Sequence, residues 1–193
     1  MSNVFERIKN EKIIAIIRGI PASSILETAQ ALLDGGVRLM EITFNQENPQ
    51  TIQETADSIR MLHRHFGDQV LLGAGTVMTT DQVDLAKDCG ALYIISPNVN
   101  KDVIRHTREL YLISIPGAFT PSEIVDAYQA GANIVKLFPA GLLGPDYLKA
   151  VRGPLSHIPL AAVGGINVDN IKDFFQSGVC SVGIGGNLVN RTK

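Results

Sequence analysis

Ser122-Glu-Ile-Val-Asp-Ala-Tyr-Gln-Ala-Gly131-Ala-Asn-Ile-Val-Lys136-Leu137 reads as one helix and one strand joined by a glycine. Ser122–Ala130 spaces Ile124, Val125 and Tyr128 as a helix face does, and Ile134–Leu137 is a short apolar run of strand type. Gly131 stands where a left-handed C-cap ends the helix. The same unit recurs outward in both directions. Gly35-Gly36, Gly90 and Gly178 each precede an apolar run by a few residues, setting a period of roughly 20–25 residues. The strand runs are Ile13–Arg18, Leu39–Thr43, Val70–Ala74, Tyr93–Ser96, Leu112–Pro116, Ile134–Leu137, Leu160–Val163 and Ser181–Ile184. Helical stretches between them are Ser23–Leu33, Gln50–His65, Thr80–Cys89, Lys101–Leu110, Ser122–Ala130, Asp146–Val151 and Val168–Gln176.

The strands are nearly continuous apolar runs, as expected where both faces of a parallel sheet are covered. Eight such units predict an α/β fold, a (β/α)8 TIM barrel forming a single domain over residues 1–193. A doubly wound sheet would call for GxGxxG after the first strand, and Arg18-Gly19-Ile20-Pro21 is not that. The chain is shorter than the ~250 residues typical of the fold, so its loops are short. Only nine residues follow Ile184, which predicts a reduced or missing last helix. Val4 to Lys9 is expected to form an N-terminal helix closing the barrel floor.

Composition sets outer bounds on function. The 193 residues are 45% hydrophobic and 19% charged, with 17 Lys+Arg against 19 Asp+Glu and a net charge of −2, so no basic footprint for nucleic acid exists. No apolar run approaches the ~20 residues of a membrane span, and MSNVFERIKNEK lacks the apolar centre of a signal peptide; a cytoplasmic protein is expected. Cys89 and Cys180 lie far apart and read as small buried residues in a reducing compartment.

In a barrel of this kind the active site lies at the carboxyl ends of the strands, so polar residues within or just after strand runs are the informative ones. Lys136 alone among eight lysines is flanked on both sides by mostly apolar residues in a strand. Desolvation there lowers an amine pKa and frees a nucleophile, as Schiff-base chemistry requires. Glu41, embedded in Leu39–Thr43, is the natural proton shuttle. The alternative for both is a structural ion pair. Arg18 ends the first strand, and Thr76 follows Gly73-Ala-Gly75, read as a turn. Gly164-Gly165 and Gly185-Gly186 follow the seventh and eighth strands, where barrels hold phosphate on backbone N–H groups. His63 and His65 point different ways, and His106 and His157 lack a ligand-spaced carboxylate motif. No metal site is expected. No GxSxG elbow for serine hydrolysis exists.

Taken in order, Ile13-Ile-Ala-Ile-Ile-Arg18, Glu41-Ile-Thr43-Phe, Gly73-Ala-Gly-Thr76-Val, Ile95-Ser-Pro97, Ile115-Pro-Gly117, Lys136-Leu-Phe138-Pro-Ala and Gly164-Gly-Ile166 closely resemble the 2-keto-3-deoxy-6-phosphogluconate (KDPG) aldolase family, which includes 4-hydroxy-2-oxoglutarate aldolases. The resemblance runs from about Ile13 to Val189. It implies a class I aldolase, a homotrimer, cleaving a 2-keto-4-hydroxy acid to pyruvate and an aldehyde with no cofactor beyond the Schiff base. Lys136 then matches the Schiff-base lysine and Glu41 the general acid/base. Thr76 matches the residue near the pyruvyl carboxylate, and Pro97 and Phe138 match apolar walls. Arg18 matches a residue at the polar end of the substrate, and Thr43 belongs to the same substrate-binding set.

Departures from the family pattern fall at the far end of the substrate. Asn45 stands where many members have Arg or Thr, Gly186 where a phosphate-binding Ser is usual, and Val163 where a Thr is usual. Backbone N–H groups at Gly164, Gly165, Gly185 and Gly186 remain for a phosphate. Three readings stay open: an aldolase for the 6-phosphogluconate-derived keto acid giving pyruvate and glyceraldehyde 3-phosphate, one for 4-hydroxy-2-oxoglutarate giving pyruvate and glyoxylate, and a non-catalytic phosphometabolite-binding or scaffold barrel.

Overall fold

The computed structural model describes residues 2–190. Its strands are β1 (Ile13–Ile17), β2 (Leu39–Thr43), β3 (Leu71–Gly75), β4 (Tyr93–Ile95), β5 (Ile113–Ile115), β6 (Gly117–Ala118), β7 (Val135–Leu137), β8 (Leu160–Val163) and β9 (Ser181–Ile184). Helices α1 (Ser2–Glu11), α2 (Ile25–Asp34), α3 (Ile52–Phe66), α4 (Thr80–Asp88), α5 (Lys101–Glu109), α6 (Pro121–Gln129), α7 (Ala140–Leu155) and α8 (Ile171–Gln176) intervene. The sheet order is β5-β4-β3-β2-β1-β9-β8-β7-β6, with parallel pairing at every step.

Nine strands appear where eight were expected because the fifth runs on past Pro116. Proline has no N–H to give to the ladder, so pairing breaks there. β5 pairs with β4 and β6 with β7. The Pro116 carbonyl accepts from Lys136 N at 2.8 Å, and the Ser114 carbonyl accepts from Asn133 N at 3.0 Å. The ring therefore closes through one split strand, giving the expected eight-stranded barrel.

Side chains alternate between two environments. Ala15 and Ile17, Met40 and Ile42, and Leu72 and Ala74 face the helices, in a layer continued around the ring by Val135, Leu137, Leu160 and Ala162. Inside, Ile14, Leu39, Leu71, Tyr93, Ile113 and Ile134 form an apolar layer low in the barrel. Ile8 of α1 is fully buried beneath it, with Val4 and Phe5 alongside, so the N-terminal helix closes the floor as expected. Gly36, Gly90, Gly131 and Gly178 adopt φ of +87°, +102°, +112° and +91°, confirming their part in ending helices.

Some boundaries differ from the sequence expectation. α7 is longer than Asp146–Val151 and breaks at Gly144 (φ 78°), beyond which Pro145 opens its second piece. α8 starts at Ile171, later than Val168, because the Asn167 and Asn170 side chains accept from the N–H groups of Asp169 and Asn167 and hold a tight turn first. After β9 the described residues form only one turn, with Leu188 N and Val189 N donating to the Gly185 carbonyl. Cys89 is buried as expected, whereas Cys180 is half-buried. Among the described residues no helix is long and apolar enough to cross a membrane.

Candidate active site

Directly above the apolar layer, the inward row changes chemistry. Register places Glu41 beside Ile16 and Gly73, and Lys136 beside Gly117 and Ala161. Glu41 is 2% exposed and Lys136 7%. Small neighbours make this possible. A methyl group at Gly75 would lie 1.8 Å from Glu41 Oε1, and one at Gly73 would lie 2.0 Å from the Tyr93 ring. The Gly73-Ala-Gly75 stretch is therefore not the turn that the sequence suggested. It is β3 itself, with glycine at two successive inward positions, one admitting an aromatic ring and the other a carboxylate.

Burial sets the protonation of both charged groups. It pushes the Glu41 carboxyl above the ordinary carboxylate range, with Lys136 and then Arg18 pulling part of the way back. It also lowers the Lys136 ammonium pKa, an effect that Glu41 opposes and Arg18 reinforces. Among the described residues Glu41 Oε2 has no hydrogen-bond partner, a costly state for a buried oxygen, about 1–3 kcal/mol in general. Lys136 Nζ lies 4.7 Å from the centre of the Phe138 ring. Tyr93, wholly buried, donates from its hydroxyl to the Met40 carbonyl at 2.8 Å and pins the strand that carries Glu41. Its phenol is held protonated well above the ordinary range, by burial first and by Glu41 second.

A cavity of about 370 Å³ joins Arg18, Glu41, Thr76, Pro97, Lys136 and Phe138. Gly164, Gly165, Gly185 and Gly186 line it as well. Gly164 and Gly165 take φ of +88° and +78°, a pairing that L side chains adopt only under strain. Asn187 donates to the Ile166 carbonyl at 2.9 Å and ties the loop after β9 to the loop after β8. Ten of the eleven residues singled out for catalysis or substrate binding thus meet in one place.

The eleventh does not. Thr43 lines an adjoining cavity of about 910 Å³, together with Asn45, and its hydroxyl donates to the Ile17 carbonyl at 3.5 Å. That larger space shares Arg18, Thr76, Gly185 and Gly186 with the smaller one but contains neither Glu41 nor Lys136. Of the two cavities, the smaller one holds both perturbed groups.

Sequence reasoning missed Gln46 and Gln82. The pattern Thr79-x-x-Gln82 carries the signature of a capping box, and Thr79 Oγ1 does accept from Gln82 N at 3.3 Å. The Gln82 side chain instead accepts from Met78 N at 2.7 Å and faces the Gln46 amide. Arg18 Nη2 donates to Thr76 Oγ1 at 3.2 Å. His63, His65 and His157 are exposed, while His106 pairs with Asp84 at 2.8 Å. Among the described residues no group of three or more His, Cys, Asp or Glu is placed to hold a metal ion.

A closed parallel barrel with a desolvated lysine and a buried carboxyl at its mouth is the arrangement of an aldolase-class barrel, and comparison with known proteins agrees. The model of the KDPG and KHG aldolase family matches residues 4–193, and the chain belongs to that family of carbon–carbon lyases. It is 36% identical to the 2-dehydro-3-deoxy-6-phosphogalactonate aldolase of Escherichia coli, over 91% of this chain and 83% of that one. It is 34% identical to the 2-dehydro-3-deoxy-phosphogluconate aldolase of Haemophilus influenzae, over 89% and 78%. Among solved structures, the KDPG aldolase of Legionella pneumophila with pyruvate captured as a covalent carbinolamine superimposes with a TM-score of 0.84 at 29% identity, covering 97% of this chain and 87% of that one.

Proposed function

We propose that the chain cleaves a 2-keto-3-deoxy-6-phospho sugar acid into pyruvate and glyceraldehyde 3-phosphate through a Schiff base on Lys136. The observation that carries this is the pairing, in one cavity, of an amine whose pKa burial lowers with a carboxyl whose pKa burial raises. The neutral amine of Lys136 attacks the C2 ketone, and the carbinolamine loses water to give an iminium. Glu41, its Oε2 without a partner among the described residues, takes the C4 hydroxyl proton, directly or through one water. As that O–H is lost, the C3–C4 bond breaks and its electron pair passes into the iminium, leaving an enamine and releasing the aldehyde. Protonation at C3 and hydrolysis then return pyruvate and the free lysine.

The remaining site residues take binding roles in this proposal. Thr76 and Arg18 receive the carboxylate end, Pro97 and Phe138 keep the reacting carbon dry, and the backbone of Gly164, Gly165, Gly185 and Gly186 cradles the phosphate. The phosphogluconate-derived acid is the expectation from sequence. Its C4 epimer is the second reading, favoured because the relative named for phosphogalactonate is the more similar of the two compared. Exposed Phe119, Tyr128 and Leu142, on and beside α6 and α7, support assembly into the expected homotrimer.

The test is peptide mass spectrometry after incubation with pyruvate and borohydride, which reduces an imine in place. An adduct confined to Lys136 is expected, and its absence from folded protein would favour the binding or scaffold reading. A loss of less than about tenfold in kcat/KM when phosphate is removed from the substrate, roughly 1.4 kcal/mol, would move the assignment to an unphosphorylated acid such as 4-hydroxy-2-oxoglutarate.

A further inference from the structure

Thr76 sits in a conformation that threonine seldom adopts, with φ of +57°. A β-branched residue there is strained and persists only where its surroundings hold it. Two glutamines from different loops supply the hold. Gln46, in the loop after β2, donates from Nε2 to the Thr76 carbonyl at 2.6 Å. Its amide also meets that of Gln82 in a reciprocal pair, Gln46 Nε2 to Gln82 Oε1 at 3.5 Å and Gln82 Nε2 to Gln46 Oε1 at 3.4 Å. Gln82, only 6% exposed, is anchored in turn by Met78 N at 2.7 Å. The two amides thus tie together the neighbouring loops after β2 and β3.

The consequence lies at the Thr76 hydroxyl. Arg18 Nη2 donates to Oγ1 and Thr76 lines the cavity, which leaves the hydroxyl hydrogen to be given to a ligand there. A threonine fixed in this way presents one O–H donor beside one guanidinium, a complement to one end of a carboxylate.

We propose that Gln46 and Gln82 are positioning residues that set the carboxylate subsite of the keto acid by holding Thr76 in its left-handed conformation. This rests on the aldolase reading above. Neither glutamine touches the reacting atoms, so the two act on substrate affinity rather than on the chemical step.

The experiment compares Gln46→Ala, Gln82→Met, the double variant and Gln82→Glu with the wild type, in steady-state cleavage and in pyruvate trapping by borohydride. Gln46→Ala and Gln82→Met are each expected to raise KM, and the pyruvate concentration for half-maximal trapping, by about tenfold, with kcat and its pH profile within twofold. The double variant should be no worse than the worse single one, because both residues act through one path. Gln82→Glu keeps the acceptor for Met78 N and should recover most of the affinity. Unchanged KM in both single variants would overturn the proposal, as would a fall in kcat at constant KM. A wild type that forms no adduct would sink the aldolase reading instead. The positioning claim is then read from a crystal structure of Gln46→Ala, where a Thr76 φ still near +57° refutes it and a φ below zero supports it.

Discussion

Replacing Gly75 by alanine tests whether the inward glycines of β3 exist to admit the carboxyl proposed as the general acid/base. The added methyl would lie 1.8 Å from Glu41 Oε1, against the 3.4 Å at which ordinary contact begins, so the carboxyl must move by about 1.6 Å. The backbone cannot yield instead. Gly75 is paired with Thr43, and its carbonyl accepts from Phe44 N at 2.9 Å, which locks β3 to β2. Gly75 is not among the glycines at positive φ, so alanine suits the local backbone and the strain falls on Glu41. A shift of about 1 Å in a reacting group costs on the order of 100-fold, and loss of general acid/base assistance costs about 10²–10⁴-fold. Cleavage by Gly75→Ala is therefore expected to fall by at least about 100-fold in kcat, with a stability loss of about 1–3 kcal/mol from overpacking. Gly35→Ala is the control, since a methyl there meets nothing nearer than 3.4 Å and φ is −74°. Steady-state cleavage and thermal unfolding are measured on both variants. A folded Gly75→Ala protein with kcat within threefold of wild type would refute the argument.

Three further outcomes follow from the same structure. Lys136→Met should abolish the borohydride-trapped adduct. It also removes the charge that pulls the Glu41 pKa down, so Glu41 stays protonated to higher pH in the folded state, and the variant's melting temperature should fall relative to wild type as pH rises above the ordinary carboxylate range. A constant difference across that range contradicts the coupling. Arg18→Gln removes a cation that lowers the Lys136 pKa, so the acidic limb of adduct formation at saturating pyruvate should move to higher pH; a shift the other way would exclude this coupling. Thr120→Ala removes the capping box at the start of α6 and should cost about 1 kcal/mol. Backbone N–H groups of Phe119 and Thr120 hold the Glu123 carboxyl below its ordinary range. The Thr120 hydroxyl, which also donates to that carboxyl at 2.9 Å, adds a smaller share, and only this share is lost in the variant; it is present above the unfolded carboxylate pKa and is lost as pH falls through the folded one, so the gap between the two proteins should narrow in acid without closing. Equal gaps at pH 7 and pH 3 would show that the Thr120 hydroxyl contributes nothing through the Glu123 charge.

The barrel was legible in the sequence because period and punctuation agree: apolar runs four to six residues long, helical stretches between them, glycine at the helix ends. Lys136 and Glu41 were legible for a related reason. A charge inside a strand buried on both faces is costly, and at a strand's carboxyl end it invites a functional explanation. What escaped was everything that depends on which strands neighbour each other across the ring. The inward glycines of β3 carry meaning only once Tyr93 and Glu41 are known to lie over them. Gln82 is disguised by a local capping pattern, while its side chain serves a residue 36 positions away. The run Leu112–Pro116 stops at the proline because the sequence shows the missing donor but not that the carbonyls on either side remain in use.

The floor of the barrel, plugged by Ile8 and the apolar layer above it, also fixes a temporal order. With one end sealed, a molecule joined to Lys136 through its second carbon has its remaining carbons extending toward the open mouth. The fragment released by C3–C4 cleavage then lies between the lysine-bound fragment and solvent. On the proposed mechanism the aldehyde departs before pyruvate, and in the condensation direction pyruvate enters first. Product inhibition should show this asymmetry, with pyruvate competitive against the cleaved substrate and the aldehyde noncompetitive.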